Sequence, residues 1–98
     1  MDNSFVLTAR IAKCSPVRYT PAGIPVLDLV LQHESQQREN GRDCTAKLEI
    51  TAKIVGADAL AWQHRENTLV QAGGFLSARS RRSGIPILRI QNIQEYKG

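Results

Sequence analysis

Apolar and polar positions alternate from the start of the chain. Phe5, Leu7, Ala9 and Ile11 stand against Val6, Thr8, Arg10 and Ala12. This period of two predicts a strand from about Phe5 to Lys13. Cys14 to Pro25 carries Pro16, Pro21, Gly23 and Pro25. Proline brings no amide to a ladder, so this stretch reads as a loop. Ile24 to His33 is a second strand, apolar on both faces in its middle, running on into the polar Glu34-Ser35-Gln36-Gln37-Arg38. Asn40-Gly41 marks a hairpin, because a type I′ turn needs positive φ at both central residues. Thr45 to Val55 returns as a third strand, with Ala46, Leu48, Ile50 and Ala52 on one face and Lys47, Glu49, Thr51 and Lys53 on the other. Ala57 to His64 has helical composition, with Ala57, Leu60, Ala61 and His64 on a shared face. Two turns need tertiary packing to persist. Thr68 to Ala78 is a fourth strand with a bulge or bend expected at Gly73-Gly74. Arg79 to Gly84 is a basic loop, and Ile85 to Tyr96 a fifth strand.

Three strands, a short helical segment and two strands are the order of the OB-fold, an all-β, five-stranded Greek-key barrel. The pattern is shared with other small barrels. Closure also removes the free edges that a chain this short would otherwise expose. The 98 residues are expected to form one domain, 1–98. Phe5 and Phe75 read as core positions on their strands. An OB-fold often carries a glycine in its first strand where the sheet coils. Here that region is Thr8-Ala9-Arg10, so the bend must be made another way.

Composition adds a direction. Net charge is +4, and only 5% of residues are aromatic. From Asn67 to Gln94 there is no acid, while Arg79, Arg81, Arg82 and Arg89 fall within the segment and equal the whole net charge. A localised positive field points to an anionic partner, nucleic acid first. No apolar run approaches the roughly 18 residues of a membrane span. Met1-Asp2-Asn3-Ser4 lacks the basic start of a signal peptide. A cytoplasmic location without a membrane partner is the expectation. Cys14 and Cys44 are too few for a disulfide scaffold and wrongly spaced for a zinc ribbon, so both are expected as plain thiols.

Catalytic signals are missing. There is no glycine-rich phosphate loop, no Cys-x-x-Cys and no His-Glu-x-x-His. His33 and His64 are the only histidines, and Asp28 and Glu49 read as solvated strand residues. Nothing assembles a nucleophile, a base and an oxyanion donor, so no enzyme, cofactor or metal is expected.

In an OB-fold the loop joining the last two strands overhangs the binding face, beside the first loop and the face of strands two and three. The first loop supplies Lys13, Arg18 and Tyr19. The second hairpin supplies Arg38, Arg42 and Lys47. The basic loop supplies Arg79, Arg81 and Arg82, with Arg89 beyond it. The fold is expected to bring these three clusters to one groove. Arginine suits the task because its planar fork bonds phosphate oxygens and stacks on bases. A lone basic hairpin is also what a solvated surface loop looks like; the acid-free stretch and the topology favour the binding reading. Tyr19 reads equally as a stacking platform or as a packed loop residue. Trp62 reads as a packing or partner residue. On the third strand, Lys47 is favoured for the groove and Lys53 for a solvated face.

Particular segments sharpen the reading. Phe5-Val6-Leu7-Thr8 opens the first strand. Ser15-Pro16-Val17-Arg18-Tyr19-Thr20-Pro21-Ala22-Gly23-Ile24-Pro25 precedes Leu29-Val30-Leu31-Gln32-His33-Glu34-Ser35, and Gly74-Phe75-Leu76-Ser77 leads into the basic loop. Over nearly its whole length the chain resembles the primosomal replication protein N family, PriB. Gly23-Ile24-Pro25 is shared with related single-stranded DNA-binding proteins, whereas the compact length and the His33-x-Ser35 ending of strand two point to PriB. The resemblance implies a homodimer of OB-folds that binds single-stranded DNA in replication restart. It also implies a non-catalytic bridge from the PriA helicase to later primosome loading factors.

Related single-stranded DNA-binding proteins continue into an acidic-tipped tail. Here Gly98 follows the fifth strand directly, so partner contacts are expected on the barrel. Family members place aromatic residues near the second hairpin's tip and on the strand after it; the matching positions here are Arg42 and Lys47. Stacking contributes about 1–3 kcal/mol per base, so this chain is expected to rely on charge. Four arginines on phosphate give a salt slope of about −3 at roughly −0.7 per contact. Two other readings remain: a module acting mainly through protein contacts, separable by charge reversal at Arg81 and Arg82, and an RNA-binding OB module, separable by competition between matched oligonucleotides.

Overall fold

In a computed structural model describing residues 1–98, the first strand, β1 (Phe5–Cys14), divides its length between two partners. Phe5 to Arg10 pairs with β5 (Leu69–Ala78), and Arg10 to Cys14 pairs with β3 (Pro25–Glu39). The register passes from Ile11 opposite Leu31 to Lys13 opposite Val30, leaving Ala12 bulged. A bulge bends its strand and adds twist. This is how the strand coils without a glycine.

β4 (Arg42–Val55) pairs with β3 along its length, and β6 (Pro86–Glu95) pairs with β5. A short parallel seam between β4 and β6, Ala52 to Ile54 against Leu88 to Ile90, completes the circuit β1-β5-β6-β4-β3 and back to β1. The result is the closed five-stranded OB-fold barrel that the element order predicts, with a short helix, α1 (Ala57–Ala61), between β4 and β5. The first loop holds an unforeseen two-residue strand, β2 (Arg18–Tyr19), on the start of β3. Two residues show no periodicity to read. No helix is long and apolar enough to cross a membrane.

The expected irregularity at Gly73-Gly74 is present, but its extra residue is Gln91 on β6, since Gly73 faces Asn92 and Gly74 faces Ile90. A Cβ at Gly74 would overlap the Arg89 carbonyl oxygen, so glycine permits this close approach.

Ile11, Leu27, Leu29, Leu31, Val70 and Leu88 are fully buried and fill the barrel. Each contributes about 1.5–3 kcal/mol through burial. Leu27, Leu29 and Leu31 therefore belong to the barrel's core. Phe5, expected inside, is 48% exposed, because it lies at the open start of β1. Phe75 is half-buried and lies outside the central cluster. The helix is also shorter than expected. It stops at Ala61, and His64 has a positive φ of 61°. Its core contact is Ala59, with Trp62 packed beside it, rather than the face of Ala57, Leu60, Ala61 and His64. Plugging the barrel end with Ala59 and Trp62 overrides the weak moment of so short a segment.

β3 and β4 run on past the barrel to Asn40-Gly41, whose φ values of 50° and 76° fit the expected type I′ turn. Both strands are longer than their polar composition suggests. No residue from Gln32 to Thr51 is buried, so this hairpin is a projecting arm on a molecule measuring 50 × 33 × 21 Å.

Candidate nucleic-acid interface

The pleat places alternate residues of β3, β4 and β6 on the outside of the barrel. Phe75, Arg89, Lys53 and Asp28 stand opposite one another across β5, β6, β4 and β3. Arg18 of β2 extends this row, its Nε donating to Asp28 Oδ2 at 2.8 Å. One step toward the arm, Thr51, Val30 and Lys13 form a second row. A groove of about 420 Å³ runs over these rows, lined by Lys13, Arg18, Asp28, Lys53 and Arg79 with Val30 and Ile87 among its apolar residues.

Arg79 follows β5 directly, and its amide donates to the Ile85 carbonyl at 2.9 Å, closing the base of the basic loop. The Ser83 amide donates to Ser80 Oγ at 3.1 Å, and the Ile85 amide to Ser83 Oγ at 3.3 Å. The loop's serines thus satisfy its backbone, and Arg81 and Arg82 stand exposed at its tip. Arg89 is exposed one residue along from the groove floor, with its guanidinium 5.7 Å from the Phe75 ring centre.

The electrostatics of the groove are lopsided. Asp28 is the only acid lining it, and it is held by Arg18. The hydrogen bond and the charge of Asp28 push the Arg18 guanidinium further up, so it stays charged at any working pH. Lys13, Lys53, Arg79 and Arg89 take part in none of the protein's ion pairs.

Of the three clusters predicted to meet, two contribute residues to one groove, while Arg81 and Arg82 do not line it. Lys13 and Arg18 from the first loop and Arg79 from the basic loop line one groove, with Tyr19 exposed beside Arg18. The hairpin cluster is elsewhere. Arg38 donates to Asp43 at 2.8 Å and to the Gly41 carbonyl at 3.0 Å, holding the turn. Arg42 faces Glu39 across the arm, and Lys47 lies 3.3 Å from Glu34. Lys47, favoured for the groove, stands on the arm, and Lys53, favoured for a solvated face, lines the groove. Lys53 lines the groove because the β4–β6 seam sets it beside Arg89. Only that register, which links segments far apart in the chain, could have singled it out.

A second cleft, of about 630 Å³, separates the arm from β1 and is lined by Arg10, Gln32, His33, Glu34, Lys47 and Glu49 among others. Arg10 hydrogen-bonds Asn67 and Gln32, and Gln32 in turn donates to Glu49. His33 Nδ1 meets the Thr8 carbonyl at 2.7 Å and its Nε2 meets Ser35 Oγ at 2.7 Å. A carbonyl only accepts, so Nδ1 carries the proton. His33 thus fastens the root of the arm to β1. Both cysteines are free: Cys14, the last residue of β1, is half-buried, which pushes its thiol up, and Cys44 is exposed on the arm.

Residues 3–92, which make up nearly all of this closed OB barrel, match the family described as "another single-strand binding protein family". The replication restart protein PriB of Neisseria meningitidis serogroup B is 58% identical over 97 residues, covering 99% of this chain and 97% of that protein. PriB of Bordetella pertussis is 36% identical, covering 98% of this chain and 91% of the other. Among solved structures, PriB of Ralstonia solanacearum superposes with a TM-score of 0.84 at 23% identity, over 98% of this chain and 99% of that one. The Thermus aquaticus single-stranded DNA-binding protein superposes at 0.75 and 22% identity, over all of this chain and 51% of that one. The chain belongs to the PriB replication restart family within the single-strand binding proteins.

Proposed function

We propose that this protein captures single-stranded DNA non-catalytically in the cationic groove and acts with the PriA helicase in replication restart. The observation that carries the reading is the convergence of Lys13, Arg18 and Lys53 from three strands and Arg79 from the basic loop onto one groove with a single acid in it. Four cations outside any ion pair, Lys13, Lys53, Arg79 and Arg89, supply free charge for phosphates. At about −0.7 per contact on single strands, log affinity falls with log salt at a slope near −3 per protomer. A salt-titrated binding curve for single-stranded and duplex DNA tests this; a single-strand slope near zero overturns it. Competition between matched deoxyribo- and ribo-oligonucleotides separates a DNA role from an RNA role.

A homodimer is part of the same reading. Phe5 and Val6 are exposed at the start of β1, and Phe5 to Ala9 pair on one edge only, with β5. Sedimentation tests it, a monomer at micromolar concentration being the contrary result. One observation favours a second emphasis, on protein contact: the arm's Arg38 and Lys47 are tied to Asp43 and Glu34 and leave less charge for DNA. If Arg81 and Arg82 are reversed to glutamate and helicase stimulation survives the loss of DNA binding, protein contact is the main role.

A further inference from the structure

We propose that Phe75, backed by Arg89, is a base-stacking platform at the end of the groove, and that it takes the place of aromatics absent from the arm. The inference rests on the single-strand-binding reading above and adds a nucleobase subsite to it. Three observations carry it. By register Phe75 stands on the outer face, opposite Arg89 and in line with Lys53 and Asp28. Its ring is half-buried and lies outside the central apolar cluster, whereas its neighbour Leu76 packs against that cluster. The exposed Arg89 guanidinium lies 5.7 Å from the ring centre, a cation–π distance.

A flat aromatic beside a flat cation offers a base two surfaces, and Lys53 is placed next to Arg89 to receive the adjoining phosphate. Every base presents a π-face, so the subsite favours bases over bare backbone without selecting one base.

The test compares oligothymidylate with an abasic deoxyribose-phosphate oligomer of equal length, on the wild type and on Phe75→Leu. Leucine keeps the apolar cover and removes the π-face. The wild type is expected to prefer oligothymidylate by roughly 5- to 150-fold, the value of one stacked base. Phe75→Leu should lose most of that preference while its salt slope stays unchanged. An equal preference in both proteins overturns the proposal. A wild type that binds neither oligomer instead overturns the single-strand reading itself. Should Phe75→Leu fold poorly, Phe75→Trp in a Trp62→Phe background gives a second readout. Quenching of its emission by oligothymidylate but not by the abasic oligomer supports stacking, and unquenched emission at saturation refutes it.

Discussion

The groove on the barrel and the arm beyond it are built from the same two strands, β3 and β4, yet they treat charge in opposite ways. In the groove, Lys13, Lys53 and Arg79 stand without anionic partners beside the single Asp28. In the arm, Glu34, Glu39, Asp43 and Glu49 outnumber Arg38, Arg42 and Lys47. Strand pairing sets Lys47 against Glu34 and Arg42 against Glu39, and the turn draws Arg38 onto Asp43. An arm without a core gains order from its own cross-strand pairs. A groove resting on a core can leave its cations free. The number of basic residues in a segment therefore says less about binding than what stands opposite each one.

Stability should separate the regions most strongly. Leu29→Ala, on the barrel portion of β3, is expected to cost about 2–5 kcal/mol in denaturant unfolding. Leu48→Ala, on the arm and 41% exposed, should cost under about 1 kcal/mol. Similar costs would mean that the arm is packed in solution.

Binding comes next. Lys53→Glu with Arg79→Glu should weaken single-stranded DNA binding on the order of tenfold or more and flatten the salt slope by about 1.4, two contacts' worth. The matching arm pair, Arg38→Glu with Arg42→Glu, should change affinity by less than about threefold, since the arm's charges are already offset. Equal losses in fluorescence anisotropy titrations would return the hairpin cluster to the binding site.

These contrasts show what could be read along the chain and what could not. The strands, the Asn40-Gly41 turn and the position of the helix were legible because each depends on neighbours in sequence. The bulge at Ala12 was foreseen only as a need for some bend. Lys53 reads as a solvated strand position because its place in the groove depends on β6, more than 30 residues away, arriving parallel and in register. Phe75 resembled core because strand periodicity does not say which face is inside when the barrel coils. The exposure of Phe5 follows from a strand end with nothing packed over it.

A smaller effect would sharpen the picture of the arm. Glu34→Gln with Asp43→Asn releases Lys47 and Arg38. Affinity should then rise about two- to threefold with a slightly steeper salt slope, while stability moves by less than about 1 kcal/mol, as expected for exposed pairs. No rise would show that the arm does not approach the strand at all. The smallest test uses the thiols. Cys44 should react rapidly with a disulfide reagent at neutral pH. Cys14, whose thiol is pushed up by burial, should lag and react fully only on unfolding.

The parallel seam has a consequence for motion. It joins Ala52–Ile54 to Leu88–Ile90 by only three rungs, while the antiparallel ladders on either side are longer. It also joins segments distant in sequence, whose pairing carries a high loop-closure entropy. The barrel should therefore open here before its hairpins come apart, and amides of β4 and β6 at the seam should exchange faster than those of the flanking ladders. Lys53 and Arg89 sit on opposite sides of that seam. If single-stranded DNA lies across both, as proposed, it would bolt the barrel shut, and slowed hydrogen exchange along the seam would record its arrival.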